Sequence, residues 1–211
     1  MPGAKSKGVL KLFLMLVTLV VPVIIFLFLK GFGVNHYTVP VFYAQGIPRD
    51  TSECQPGDQT HVINLSNYTF NSTGKNSQTS FNRKLSVIDI DVQSVIPLDK
   101  PGYPLNRVAD QFSGQNDVQF ILIRMEPESG HEKQSSMRER FKYIYGNKAE
   151  LSSFARCELV LLDFPDKIGV DTRRFVLVDQ HGRIRGYYPV SDFEEIDRMI
   201  VEMKIILKEE Y

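Results

Sequence analysis

The 211 residues carry 25 basic and 25 acidic side chains, 43% hydrophobic residues and 24% charged ones, the balance of a folded chain rather than a disordered one. The formal net charge is zero and no basic stripe with interleaved aromatics stands out, which argues against a nucleic-acid binder. Two cysteines, Cys54 and Cys157, are too few for a disulfide scaffold and form neither a CxxC nor a zinc-ligand spacing.

The zero hides an asymmetry. Residues 1–30 hold Lys5, Lys7, Lys11 and Lys30 and no acid, so the remainder is net negative. Leu12–Leu29, LFLMLVTLVVPVIIFLFL, is eighteen residues without a charge. With Val9 and Leu10 it reaches the length of a membrane span. A core helix would have a polar edge, and this one has none. A cleaved signal peptide has a shorter apolar region and an A-x-A-like site, and neither occurs here. The segment 9–29 is therefore read as an uncleaved transmembrane anchor, with Pro22 tolerated inside it. The lysines before it place residues 1–8 in the cytoplasm and the rest of the chain outside.

Residues 30–60 read as a stalk, with a proline-marked run Val39-Pro40-Val41-Phe42-Tyr43 and a turn-rich stretch to Asp58. His36 has no second ligand at helical or turn spacing and reads as a surface residue. The domain is expected over 61–211. Asn64, Asn67 and Asn71 each head an Asn-x-Ser/Thr triplet. They are read as chance products of a polar loop; the alternative is a eukaryotic type II membrane glycoprotein. Asn67–Phe70 reads as a short strand and Asn71–Asn82 as a polar hairpin.

Leu85–Val92 reads as the first main strand, with Ile88, Ile90 and Val92 on one face and Val87, Asp89 and Asp91 on the other. Two carboxylates on one strand face suit an acid/base pair or a cation site. No histidine or third carboxylate follows at a ligand-like spacing, so solvation or pairing with Lys or Arg is the plainer reading. Leu105, Val108, Ala109 and Phe112 give a helix face. Val118–Met125, VQFILIRM, reads as a buried central strand. Glu132–Tyr145 is expected as a second helix, with Met137, Phe141 and Ile144 inward, and Lys148–Arg156 as a third. Cys157–Leu162 either finishes that helix or runs extended.

Arg173–Tyr188 reads as two strands joined at Asp179-Gln180-His181-Gly182, a hairpin signal with Gly182 free to take positive φ. Ser191-Asp192-Phe193-Glu194 then reads as a capping box with Ser191 as the cap. The final helix is expected to turn Phe193, Ile196, Met199, Ile200, Met203, Ile206 and Leu207 inward. Strands separated by helices and closed by strand, strand, helix make an α/β fold of thioredoxin type with a mixed sheet.

Outside the cytoplasm, Cys54 and Cys157 oxidise to a disulfide if their Cα atoms come within about 7 Å. Neither lies at a helix N-terminus, where a thiolate is stabilised. The most ordinary reading of Cys157 is a buried small hydrophobe.

Several of these stretches together resemble the Sco/SenC family, membrane-anchored thioredoxin-like proteins that deliver copper to cytochrome oxidase, in particular its Bacteroidetes versions. They are Gly31–Tyr37 and Val39–Tyr43 after the anchor, Leu105-Asn106-Arg107-Val108, and the pair Phe175–Asp179 and Gly182–Tyr188. The family's site is a Cys-x-x-x-Cys loop after the first strand and a distant histidine before the closing hairpin. Two thiolates and an imidazole suit Cu(I), and the thiols can cycle through a disulfide. Counted back from Leu105, the cysteine positions fall near Ser94 and Leu98. Counted back from Phe175, the histidine position falls at Asp171. The resemblance thus implies a Sco-like protein without the Sco site, with no cofactor and no enzymatic activity. It implies an accessory or interaction protein of respiratory oxidase assembly, held in a bacterial inner membrane with its domain in the periplasm. Its partners would be oxidase subunits or an intact Sco-like protein. The alternative is an active copper chaperone or thiol–disulfide oxidoreductase using Cys54 and Cys157 or other ligands.

Overall fold

The structure is a computed structural model, and it describes residues 4–32, 37–47, 54, 57–65, 68, 70–72, 83–91, 102–125, 140–161 and 173–209. The chain forms two compact units, Met1–Tyr37 and Thr38–Tyr211. The first contains one helix, α1 (Ala4–Phe32), with Pro22 inside it. Its Gly8–Gly31 part is long and apolar enough to cross a membrane. At 1.5 Å per residue those 24 residues reach about 36 Å, more than a hydrocarbon core of about 30 Å.

The second unit is built on a six-stranded sheet in the order β1-β4-β3-β2-β5-β6. The strands are β1 (Asn71–Ser72), β2 (Leu85–Asp91), β3 (Val118–Met125), β4 (Lys142–Gly146), β5 (Arg174–Val178) and β6 (Ile184–Pro189). β2, β3 and β4 run parallel, while β1, β5 and β6 pair antiparallel with their neighbours. Helix α2 (Pro104–Gln111) connects β2 to β3, and α4 (Phe193–Glu209) follows the closing hairpin. Both pack on one face, where Leu105, Val108, Met199 and Met203 meet Val87, Leu122, Phe175 and Leu177. Helix α3 (Lys148–Ser153) and the π-helical turn Phe154–Glu158 cover the other face, against Ile88, Ile121, Ile123 and Val176. Parallel strands joined by a crossover helix, then an antiparallel hairpin and a helix returning to the first helix's face, make this a thioredoxin-like fold.

The hairpin forms as its sequence dictates. Gly182 has φ +78° and its amide donates to the Asp179 carbonyl at 2.9 Å. The Asp179 carboxylate accepts from the amides of His181 and Arg183, both at 2.9 Å. A bulge between Leu177 and Val178 shifts the β5–β6 register, so that Val178 pairs with Ile184 and Leu177 with Gly186. Arg185 is the extra residue, and the bulge re-aims its side chain.

Five sequence expectations change. The helix expected over Glu132–Tyr145 gives way at its C-terminal end to β4, which pairs Lys142–Gly146 with Ile121–Met125. Phe141, Ile144 and Tyr145 fit helical spacing, but alternating aromatics also fit a strand, and the open edge of β3 supplies the hydrogen bonds. The domain begins at Thr38 rather than His61. Val39 is buried; its amide donates to Glu209 Oε1 at 2.9 Å and its carbonyl accepts from Arg185 Nη2 at 2.6 Å. Asp192, not Ser191, caps α4, its Oδ1 accepting from the Glu194 amide at 2.9 Å and the Glu195 amide at 3.3 Å. Phe193 is exposed rather than inward, because it precedes the turn that first meets the sheet. Of the short strand expected at Asn67–Phe70, Asn67 and Thr69 lie outside the described residues and Tyr68 and Phe70 are not in a strand; a two-residue strand forms at Asn71–Ser72. His36, Asn67 and residues 73–82 lie outside the described residues.

Candidate functional site

The parallel strands β2 and β3 end at Asp91 and Met125, where α2 begins. β2 has a parallel neighbour on one side and an antiparallel one on the other. Sites in open α/β sheets form at such a point, beyond the carboxyl ends of the strands. Asp89 and Asp91 stand there on the α2 side, as the period of two requires. Arg124 of β3 shares that face, and Arg173 reaches it from the residue before β5. Tyr103 arrives as the residue ahead of Pro104, which opens α2; proline suits that first helical position.

Asp89 is wholly buried and its carboxylate is fully used. Oδ2 accepts from Arg124 Nη2 at 2.6 Å, Arg173 Nη2 at 2.6 Å and the Tyr103 hydroxyl at 2.5 Å. Oδ1 accepts from Arg173 Nε at 2.9 Å. Arg173 Nη1 also lies 3.0 Å from Asp91 Oδ2. Arg124 Nη1 donates to the carbonyls of Asp89 and Ile123, both at 3.0 Å. The Arg173 guanidinium sits 5.6 Å from the centre of the Tyr103 ring, within cation–π range. All four charged side chains are no more than 8% exposed.

The electrostatics follow. Burial pushes the Asp89 carboxyl up, but the Arg124 and Arg173 guanidiniums and the hydrogen bonds from Arg173 and Tyr103 outweigh it, holding Asp89 well below the usual carboxylate range. Burial and the Asp89 charge push the Tyr103 phenol far up, so it stays a neutral donor. Two carboxylates and two guanidiniums cancel. The cluster offers hard oxygens already occupied by cations, and no thiolate or imidazole, which is a poor donor set for Cu(I). Among the described residues no group of three or more His, Cys, Asp or Glu side chains could hold a metal ion.

Ser94, Leu98 and Asp171, the positions counted from the family pattern, lie outside the described residues. Cys157 is not an unpaired buried hydrophobe: it is half-buried and disulfide-bonded to Cys54, with Cα atoms 5.2 Å apart. Their bond lies beside Phe154–Glu158, on the sheet face opposite α2, away from the Asp89 cluster. Asn64 donates its amide to Glu158 Oε2 at 2.7 Å, and Asn71 lies in β1.

Arg124, Arg173 and Tyr103 are partners that the sequence reading did not single out. Arg124 carried a signal: a lone charge in VQFILIRM needs a buried counter-ion. Arg173 and Tyr103 carried none, since only the fold brings them to Asp89.

No protein-family model matches the chain, and no curated protein sequence matches it. Solved structures similar to it include BsSco, a member of the Sco family of cytochrome c oxidase assembly proteins, at 17% identity and TM-score 0.48, over 69% of this chain and 96% of that one. A SCO1/SenC family lipoprotein from Bacillus anthracis is similar at 15% identity and TM-score 0.42, over 60% of this chain and 83% of that one. Copper-bound ScoI from Bradyrhizobium japonicum is similar at 16% identity and TM-score 0.39, over 60% and 87%.

Proposed function

We propose that this is a membrane-anchored, Sco-like protein whose domain carries no copper site, and that it acts through protein contacts as an accessory in respiratory oxidase assembly. It is not an enzyme in this reading, and it sits in a bacterial inner membrane with its N-terminus in the cytoplasm and its domain outside. The observation that carries the reading is the Asp89–Arg173–Arg124 cluster at the carboxyl end of β2 and β3. A self-neutralised ionic knot there holds the fold together and presents oxygens already engaged by cations, a poor donor set for Cu(I). Both of the chain's cysteines are engaged with each other elsewhere, and Ser94, Leu98 and Asp171 stand in the sequence where the family's ligands would be. The anchor is supported by α1, and the side of the membrane by Lys5, Lys7 and Lys11 ahead of it.

The test is to purify the full chain from its own membranes by affinity tag, and to delete it. Co-enrichment of oxidase subunits or of an intact Sco-like protein, with slowed oxidase maturation in the deletion strain, is expected. Unchanged maturation together with no such co-enrichment would remove the assembly role.

A further inference from the structure

One face of the sheet has unusual cover. Where α2 and α4 close the Val87–Leu122 face, the Ile88–Ile121 face is closed by a short helix, a π-helical turn and a strap of irregular chain. The described parts of that strap are residues 38–47 and 57–65. It brings Ile47 and Ile63 onto Ile88, Val178 and Ile184, with Tyr43, Leu65, Tyr68 and Phe70 at the margin. It also lines the outer edge of the hairpin: the Phe42 amide donates to the Ile184 carbonyl at 2.8 Å and the Ile63 amide to the Gly182 carbonyl at 2.9 Å.

Three links join the strap to the π-helical turn, and all land on two consecutive residues. Cys54 is bonded to Cys157. The Asn64 amide donates to Glu158 Oε2 at 2.7 Å, and His61 Nε2 lies 2.7 Å from the Glu158 carbonyl oxygen. The turn they hold is a costly one. Its Leu159 amide reaches back to the Phe154 carbonyl, the i→i+5 bond of a π-turn, and Val160 just after it has φ +53°. A β-branched residue rarely adopts that conformation, and it persists only where the surroundings enforce it. Both cysteines are only half-buried, so a reductant can reach them. The sheet beneath has its own ladders from β2 to β6 and its own helices on the far face.

We propose that the Cys54–Cys157 bond is a redox latch: its reduction releases the strap from the π-helical turn and uncovers the isoleucine face and hairpin edge, while the rest of the domain stays folded. The chemistry is exchange with an extracytoplasmic dithiol. One of its thiolates attacks a sulfur of the Cys54–Cys157 bond and forms a mixed disulfide. Its second thiol then closes its own disulfide and expels the chain's cysteine. The dithiol loses two electrons and two protons, and Cys54 and Cys157 become two thiols. The latch uses neither the Asp89 cluster nor any metal, so it stands apart from the assembly role.

The test is hydrogen exchange, read by mass spectrometry, on the full chain in detergent micelles, oxidised and after dithiothreitol with alkylation of the freed thiols. Cys54→Ser/Cys157→Ser is measured beside it, as a latch that never closes. Exchange in residues 42–47, 57–65 and 154–161 is expected to speed by about tenfold or more in both open forms, with β3 and α4 within about twofold of the oxidised chain, the pattern of local opening. Unchanged exchange in the strap would overturn the latch. So would acceleration spread equally over the sheet, or a bond that dithiothreitol leaves intact in the folded chain.

Discussion

Arg173 grips Asp89 from 84 residues away in sequence, Nε on Oδ1 at 2.9 Å and Nη2 on Oδ2 at 2.6 Å. It also lies 3.0 Å from Asp91 through Nη1, so one guanidinium ties β2 to the start of β5. Removing it leaves Asp91 without this cation and Asp89 with Arg124 as its remaining cation beside the Tyr103 hydroxyl. Arg173→Met is expected to destabilise the domain by about 3–5 kcal/mol, the cost of breaking one side of a buried pair. Arg173→Lys is expected to recover only part of that, because an ammonium cannot make the two-pronged contact. Urea unfolding of the three proteins measures both; a Lys variant as stable as the parent would mean the fork is idle.

The same carboxylate sets a pH dependence. An unfolded Asp titrates near 3.9, and the guanidiniums hold Asp89 lower in the native state. Below about pH 4 the unfolded chain therefore takes up a proton that the native chain refuses, and stability falls as pH falls. Asp89→Asn is expected to be less stable at pH 7 but to show a shallower acid slope. Glu158 has the opposite sign. Burial raises its carboxyl despite the Asn64 amide and His61, so ionising it costs native stability above the unfolded value of about 4.3. Glu158→Gln should match or exceed the parent at neutral pH. Unfolding midpoints across pH 3–7 check both signs.

Gly186 lies beneath the Tyr188 ring. A Cβ there would sit 2.3 Å from the Tyr188 hydroxyl oxygen and 2.7 Å from Cζ. Tyr188 cannot simply step aside, since it is buried, hydrogen-bonded to Glu202 and overlaid by Arg198 at 4.9 Å. Gly186→Ala should cost about 1–3 kcal/mol through overpacking. In the double variant with Tyr188→Leu the two costs should sum to less than their parts, a coupling a double-mutant cycle reads directly.

At the start of α4 two neighbours compete for one role. Asp192 accepts from the amides of Glu194 and Glu195. Asp192→Ala is expected to lose about 1 kcal/mol, the usual worth of an N-cap, and Ser191→Ala close to nothing. Thermal unfolding of the two variants separates them, and the reverse order would restore Ser191 as the cap.

Local chemistry was legible in the sequence where neighbours in the chain decide it. Asp179 and Gly182 specify the hairpin, Pro104 opens α2, and Ile196, Met199 and Met203 repeat at helical spacing. β4 was not, because Phe141 and Ile144 fit the helical period while Phe141, Tyr143 and Tyr145 fit the strand period, and only the free edge of β3 chooses between them. Val39 was not, because nothing near it announces that Glu209 and Arg185 will receive its backbone. Of the candidate site, Asp89 and Asp91 were visible as two carboxylates on one strand face. Their meaning came from Arg124, Arg173 and Tyr103, which only the folded sheet brings there.

A Cu(I) titration of the reduced full-length protein in detergent against a competing chelator tests the proposed absence of a copper site. The chelator is expected to keep the metal throughout. Tight one-to-one withdrawal of Cu(I) by the protein would contradict it, and would mean that Cys54, Cys157 or a histidine has been recruited as a ligand.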